Sequence, residues 1–83
     1  MNMKINNTSF YKTSDLALVA LLSLSFPIKE IDSSDTKRVS FIFESSNALN
    51  EQIQAYWLKM LRVEPQEYFN QLKNIKTRIY SNK

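Results

Sequence analysis

The sequence predicts an α+β domain: a β-hairpin packed against three helices in the order (β)αββαα, with room for a short third strand from the N-terminus. Three observations predict it. An unbroken apolar run from Leu16 to Leu22 needs a central helix. Val39, Phe41 and Phe43 alternate with Ser40 and Ile42 as a half-buried strand does. The C-terminal half carries apolar residues at helical spacing on two separate segments.

Residues 1–9 are polar and rich in Asn and read as a loose segment, although Ser9 to Tyr11 could add a strand. A single globular domain is expected over 10–80, with 81–83 fraying. Thr13 or Ser14 should cap the first helix, which runs to about Leu24; Phe26 and Pro27 then end it, because proline disfavours a helical residue before it. The chain becomes extended through Ile28 and Ile31, turns through Asp32, Ser33, Ser34, Asp35 and Thr36, and returns as a strand over Arg38 to Phe43. Tight two-residue hairpin turns favour Gly or Asn, so a longer loop closed by Asp side chains is expected.

Ser45 or Ser46 caps a second helix whose inner stripe is Leu49, Ile53, Tyr56, Trp57 and Met60. Leu61 to Val63 form a short link. Pro65 suits the first turn of a third helix, with Glu64 at a cap position where Asp or Ser would serve better. Its stripe is Tyr68, Phe69, Leu72, Ile75 and Ile79.

The apolar stretch Leu16 to Phe26, with Lys4 and Lys12 before it and Ser23 and Ser25 within it, has some features of a secretory signal. Asp15 at its front, and the helix start Thr13-Ser14-Asp15, fit a buried helix better. It is also shorter than the roughly 20 apolar residues that span a bilayer. The expectation is a cytoplasmic protein with no membrane contact.

Composition removes whole classes of chemistry. Average usage would give about six glycines, yet the 83 residues contain none, and they also lack His and Cys. Glycine-dependent phosphate loops, imidazole bases, thiolates, disulfides and the usual zinc or haem ligand sets are therefore excluded. A net charge of +3 is compatible with nucleic acid or an acidic partner and demands neither.

The motifs Tyr11-Lys12-Thr13-Ser14-Asp15-Leu16, Val39-Ser40-Phe41-Ile42-Phe43-Glu44-Ser45-Ser46, Ala55-Tyr56-Trp57 and the closing Leu72 to Tyr80 follow one another in a distinctive order. In that order the chain resembles a small domain-of-unknown-function family of bacteria and phages, from about Phe10 to Tyr80. The resemblance implies no activity. Ser25-Phe26-Pro27 stands where the family typically has a glycine, and Glu64 where it commonly has Asp, departures that leave the fold intact.

Five constellations could carry function. Thr13-Ser14-Asp15 pairs hydroxyls with a carboxylate, but a serine nucleophile needs a base, and helix capping explains the residues. Asp35-Thr36-Lys37 with Asp32 or Glu30 resembles the acidic pair and lysine of magnesium-dependent nucleases, yet falls in a turn. Lys37 to Phe43 resembles the aromatic strand of an RNA recognition motif; parity instead buries Val39, Phe41 and Phe43 and leaves Glu44 outside. Lys73, Lys76 and Arg78 suit a helix C-terminus, and with Lys37 and Arg38 they are the candidate nucleic-acid contacts.

Tyr56, Trp57, Tyr68 and Tyr80 belong to the densest aromatic set, and neighbours on one helix cannot all point inward. These four are the candidate partner-binding residues. The expected function is a non-enzymatic binding module without cofactor or metal, engaging a protein partner through that surface or a second copy through a free hairpin edge. Nucleic-acid binding through the basic residues is the alternative.

Overall fold

The apolar run becomes the centre of the molecule. In the computed structural model, which describes residues 9–35 and 37–81, helix α1 spans Leu16–Ser23 and buries Leu18, Val19, Ala20, Leu21 and Leu22 in succession. Burial on consecutive positions requires cover from several sides. Helices α2 (Asn47–Trp57) and α3 (Pro65–Ser81) both pack on α1, and Phe41 and Phe43 share its core. With strands β1 (Phe10–Thr13), β2 (Glu30–Asp32) and β3 (Ser40–Glu44), the order is βαββαα, the α+β class expected. The expectations for residues 1–8 and 82–83 lie outside the described residues, as does Thr36 of the turn.

The sheet has the order β1-β3-β2, antiparallel throughout. Tyr11 stands opposite Phe43, and both Thr13 and Ile31 opposite Phe41, so these five share the face turned to the helices. Phe41 and Phe43 are fully buried. On the other face lie Phe10, Lys12, Glu30, Asp32, Ser40, Ile42 and Glu44. There the Lys12 Nζ reaches Asp32 Oδ2 across β3 at 2.9 Å. The domain measures 43 × 33 × 17 Å; its thin dimension has room for one sheet and one helical layer, so the charged face stays open.

The hairpin turn is long, as the missing glycine requires. Asp32 Oδ1 accepts the Ser34 N–H at 3.0 Å and Asp35 Oδ1 accepts the Lys37 N–H at 2.9 Å. A further bond from Arg38 N to the Asp35 carbonyl holds Arg38 in the turn, so β3 begins at Ser40 rather than Arg38. The expected strand before it is likewise shifted, to Glu30–Asp32.

Helix starts follow their caps. Asp15, rather than Thr13 or Ser14, caps α1: its Oδ1 accepts the N–H groups of Ala17 and Leu18 at 3.1 and 3.3 Å. The two hydroxyls are engaged elsewhere, Thr13 Oγ1 accepting the Asp15 N–H and Ser14 Oγ bonding Ser40 Oγ. Ser46 caps α2 through the Leu49 N–H. Glu64 serves α3 better than its residue type suggests, since its longer side chain curls back to accept the Glu67 N–H at 2.7 Å.

The end of α2 shows how the chain manages without glycine. Met60 N–H bonds the Ala55 carbonyl and Lys59 N–H the Tyr56 carbonyl, a Schellman closure with Lys59 at φ 60° in the left-handed region. A side chain in that region costs about 1–2 kcal/mol that glycine avoids. Lys59→Gly should therefore stabilise the domain by about 0.5–1 kcal/mol after the extra chain entropy of glycine is subtracted. Thermal denaturation followed by circular dichroism would show this as a rise of several degrees; an unchanged or lower midpoint would contradict the assignment of strain.

That reversal also corrects two core expectations. Trp57 and Met60, placed on the inner stripe, are 62% and 70% exposed. The helix stops at Trp57, so Met60 never completes the turn above Tyr56. Phe69 of α3 is 58% exposed because it lies one residue, about 100°, off the inward row Tyr68, Leu72, Ile75, Ile79. Among the described residues, no helix is long and apolar enough to cross a membrane.

Candidate functional site

The structure divides the four predicted aromatic residues into two pairs. Tyr56 and Tyr68 are half-buried and direct their hydroxyls inward: Tyr56 Oη donates to Asp15 Oδ2 at a long 3.5 Å, and Tyr68 Oη to the Ala17 carbonyl at 3.1 Å. Gln71 Nε2 adds a 2.8 Å bond to Ser23 Oγ, so α3 is tied to both ends of α1. Trp57 and Tyr80 instead face outward, at 62% and 72% exposure.

Burial, and then the Asp15 carboxylate, push the phenols of Tyr56 and Tyr68 above their ordinary value. A phenol pKa raised in the folded state means that the fold prefers the neutral form. Its stabilisation is complete below the unfolded value of about 10 and disappears as pH rises through the folded value. Denaturation midpoints should thus fall steeply above about pH 10, and Tyr68→Phe should flatten that fall. An alkaline limb identical in the wild type and Tyr68→Phe would refute the assignment to Tyr68.

The first outward surface is an apolar corner where α2 hands over to α3. Trp57, Leu58, Met60 and Val63 are all exposed within one short stretch. Trp57 is oriented by an edge-on contact with Tyr56, ring centres 5.0 Å apart. Only Leu61 of the connection turns back to the core. Phe69, in the second turn of α3 and also exposed, carries the Lys73 ammonium 5.1 Å from its ring centre. Leu58 and Val63 are surface residues that the helical spacing of the sequence does not single out. Their signal was present in a loop far more apolar than connections usually are.

The second is a cleft of about 440 Å³ at the end of α3. It is lined by Lys76, Ile79 and Tyr80 of α3, by Lys37, Arg38 and Val39 of the hairpin loop, and by Ser14 and Leu16 where α1 begins. Of the five basic residues singled out from the sequence, Lys37, Arg38 and Lys76 meet here, while Lys73 stands over Phe69 and Arg78 is exposed outside this lining.

Asp32 and Asp35, the aspartates of the magnesium-ligand-like pattern, are otherwise engaged. Asp32 accepts from Lys12 and Ser34, bonds that hold its carboxyl well below the usual carboxylate range, and Asp35 accepts from its own turn. No group of three or more Asp or Glu among the described residues could hold a metal ion. The aromatic strand compared with an RNA recognition motif has Phe41 and Phe43 fully buried, so stacking on them is excluded.

Comparison with the curated proteins and with the solved structures gives no significant match. A family model described as "Domain of unknown function (DUF5659)" matches residues 8–81, a span that contains every element from β1 to α3, and the chain belongs to that family.

Proposed function

We propose that the domain is a non-enzymatic binding module that docks a protein partner through the apolar corner of Trp57, Leu58, Met60 and Val63. The observation that carries this reading is the outward placement of four large apolar side chains in seven residues, on a turn fixed by the Schellman closure rather than on a frayed end. Exposed Trp beside other apolar groups is the typical composition of an interface hot spot. Tyr56 supports the site from beneath instead of contacting the partner.

The corner is a better candidate than the hairpin edge. β1 covers the free side of β3, and the strands left at the edges are only four and three residues long. Given the family resemblance, a protein encoded beside this one in a bacterial or phage genome is the first partner to try, in a cytoplasmic setting.

A photo-crosslinking side chain at Leu58 or Met60 should form an adduct with the partner in the native host, and one at Lys12 on the open sheet face should not. Trp57→Ala should lower the adduct yield about ten-fold, the size of a hot-spot loss, with a loss of folding stability of about 1 kcal/mol or less from the missing ring contact. Adducts formed equally at Lys12 would point to the sheet face instead. Light scattering tests self-association: a concentration-dependent dimer abolished by Trp57→Ala would make the partner a second copy.

A further inference from the structure

The cleft at the far end of α3 has a lining that the protein-binding reading does not use. Its charged residues are Lys37, Arg38 and Lys76, all exposed, and none of them forms an ion pair with a described residue. Lys76 lies before the last turn of α3, whose basic residue is Arg78, and Lys37 and Arg38 lie on the hairpin loop, so none of the three is explained by a helix end. The nearest carboxylate in sequence, Asp35, does not line the cleft and is held by its bond to the Lys37 N–H.

Between the cations the surface is not polar. Leu16, Val39 and Ile79, all half-buried, provide an aliphatic floor, Tyr80 a ring that is 72% exposed, and Ser14 a hydroxyl fixed by its 2.9 Å bond to Ser40. Exposed cations beside half-buried aliphatic side chains and an aromatic ring are complementary to a ligand with anionic groups and a flat apolar body. A volume of about 440 Å³ suits one or two such units. An acidic peptide satisfies the charges and leaves the ring and floor without a counterpart, whereas a strand of nucleotides satisfies both.

We infer that this cleft binds single-stranded nucleic acid, with a base against Tyr80 and the aliphatic floor and the flanking phosphates on Lys37, Arg38 and Lys76. A duplex hides its base faces and gains nothing from the ring, so the preference is for unpaired strands.

The test is fluorescence anisotropy with labelled single-stranded DNA and RNA of about eight nucleotides. Binding at low salt is expected, with log affinity falling against log salt at a slope of about −2, the value for three phosphate contacts on a single strand. Lys76→Glu should weaken binding about ten-fold or more, and Lys73→Glu, an equal change in net charge outside the cleft, far less. Tyr80→Ala should cost about five-fold or more while Tyr80→Phe stays near the wild type. Polyglutamate of similar length should compete poorly, and a duplex of the same sequence should bind more weakly.

No binding at low salt, equal losses from Lys73→Glu and Lys76→Glu, or equal competition by polyglutamate would overturn the inference. Should a cleft variant fail to fold, amide shift mapping of the wild type decides: perturbation at Lys37, Arg38, Ile79 and Tyr80 supports the cleft, and perturbation confined to residues 57–63, or none, refutes it. Those outcomes are independent of the protein-binding corner.

Discussion

Phe41→Ala should lower the unfolding free energy by about 3–5 kcal/mol, the usual loss when a buried Phe is truncated. A chain of this length has about 4–12 kcal/mol in all, so the variant should lose from about a quarter to the whole of its stability. The position explains the size of the effect. Phe41 is fully buried on the middle strand, with Thr13 on one side and Ile31 on the other, and belongs to the same core as α1. Ile42→Ala, one residue along, removes a half-buried side chain from the open face and should cost about 1 kcal/mol. Urea denaturation of the two variants measures the contrast; comparable losses would mean that the sheet is covered on both faces.

Asp15→Ala should cost about 2 kcal/mol, at the upper end for a helix cap. One carboxylate answers three donors: Ala17 N–H, Leu18 N–H and, more weakly, the Tyr56 hydroxyl. α1 has no acidic residue in its first turn, so the negative charge at its N-terminus comes from Asp15. Asp15→Asn keeps an acceptor at the cap and should lose less than Asp15→Ala, yet it removes the charge that helps hold the Tyr56 and Tyr68 phenols neutral. The alkaline limb of stability should therefore shift in Asp15→Asn while the neutral-pH midpoint moves little. Chemical denaturation at neutral and alkaline pH separates the two, and a large neutral-pH loss in Asp15→Asn would show that the charge rather than the cap matters.

Much of this architecture was legible because it rests on local patterns. The Leu16–Leu22 run has no polar face to offer solvent, and the Val39-Phe41-Phe43 alternation has one inward parity; both dictate burial without knowledge of neighbours. The absence of glycine likewise foretold a long hairpin turn and helix ends closed by other residues, which the Asp32 and Asp35 side chains and Lys59 supply. What was misread depends on where elements stop. Met60 fits the α2 periodicity and fails only because Lys59 reverses the chain, and Asp15 rather than Ser14 became the cap because Ser14 finds a partner 26 residues away in Ser40. The cleft was hidden because Lys37 and Lys76 are distant in sequence and come to line one cleft only once α3 has packed on α1.

The central place of β3 sets the order in which the molecule can be assembled. During synthesis β1, α1 and β2 all emerge before the one strand that pairs with both edges, so there is no sheet until Glu44 has been made. α1, whose exposed alternative is a naked stretch of Leu, Val and Ala, must wait through that interval and then through α3 for its full cover. A nascent chain of this design is therefore at its most aggregation-prone between the emergence of α1 and the emergence of α3.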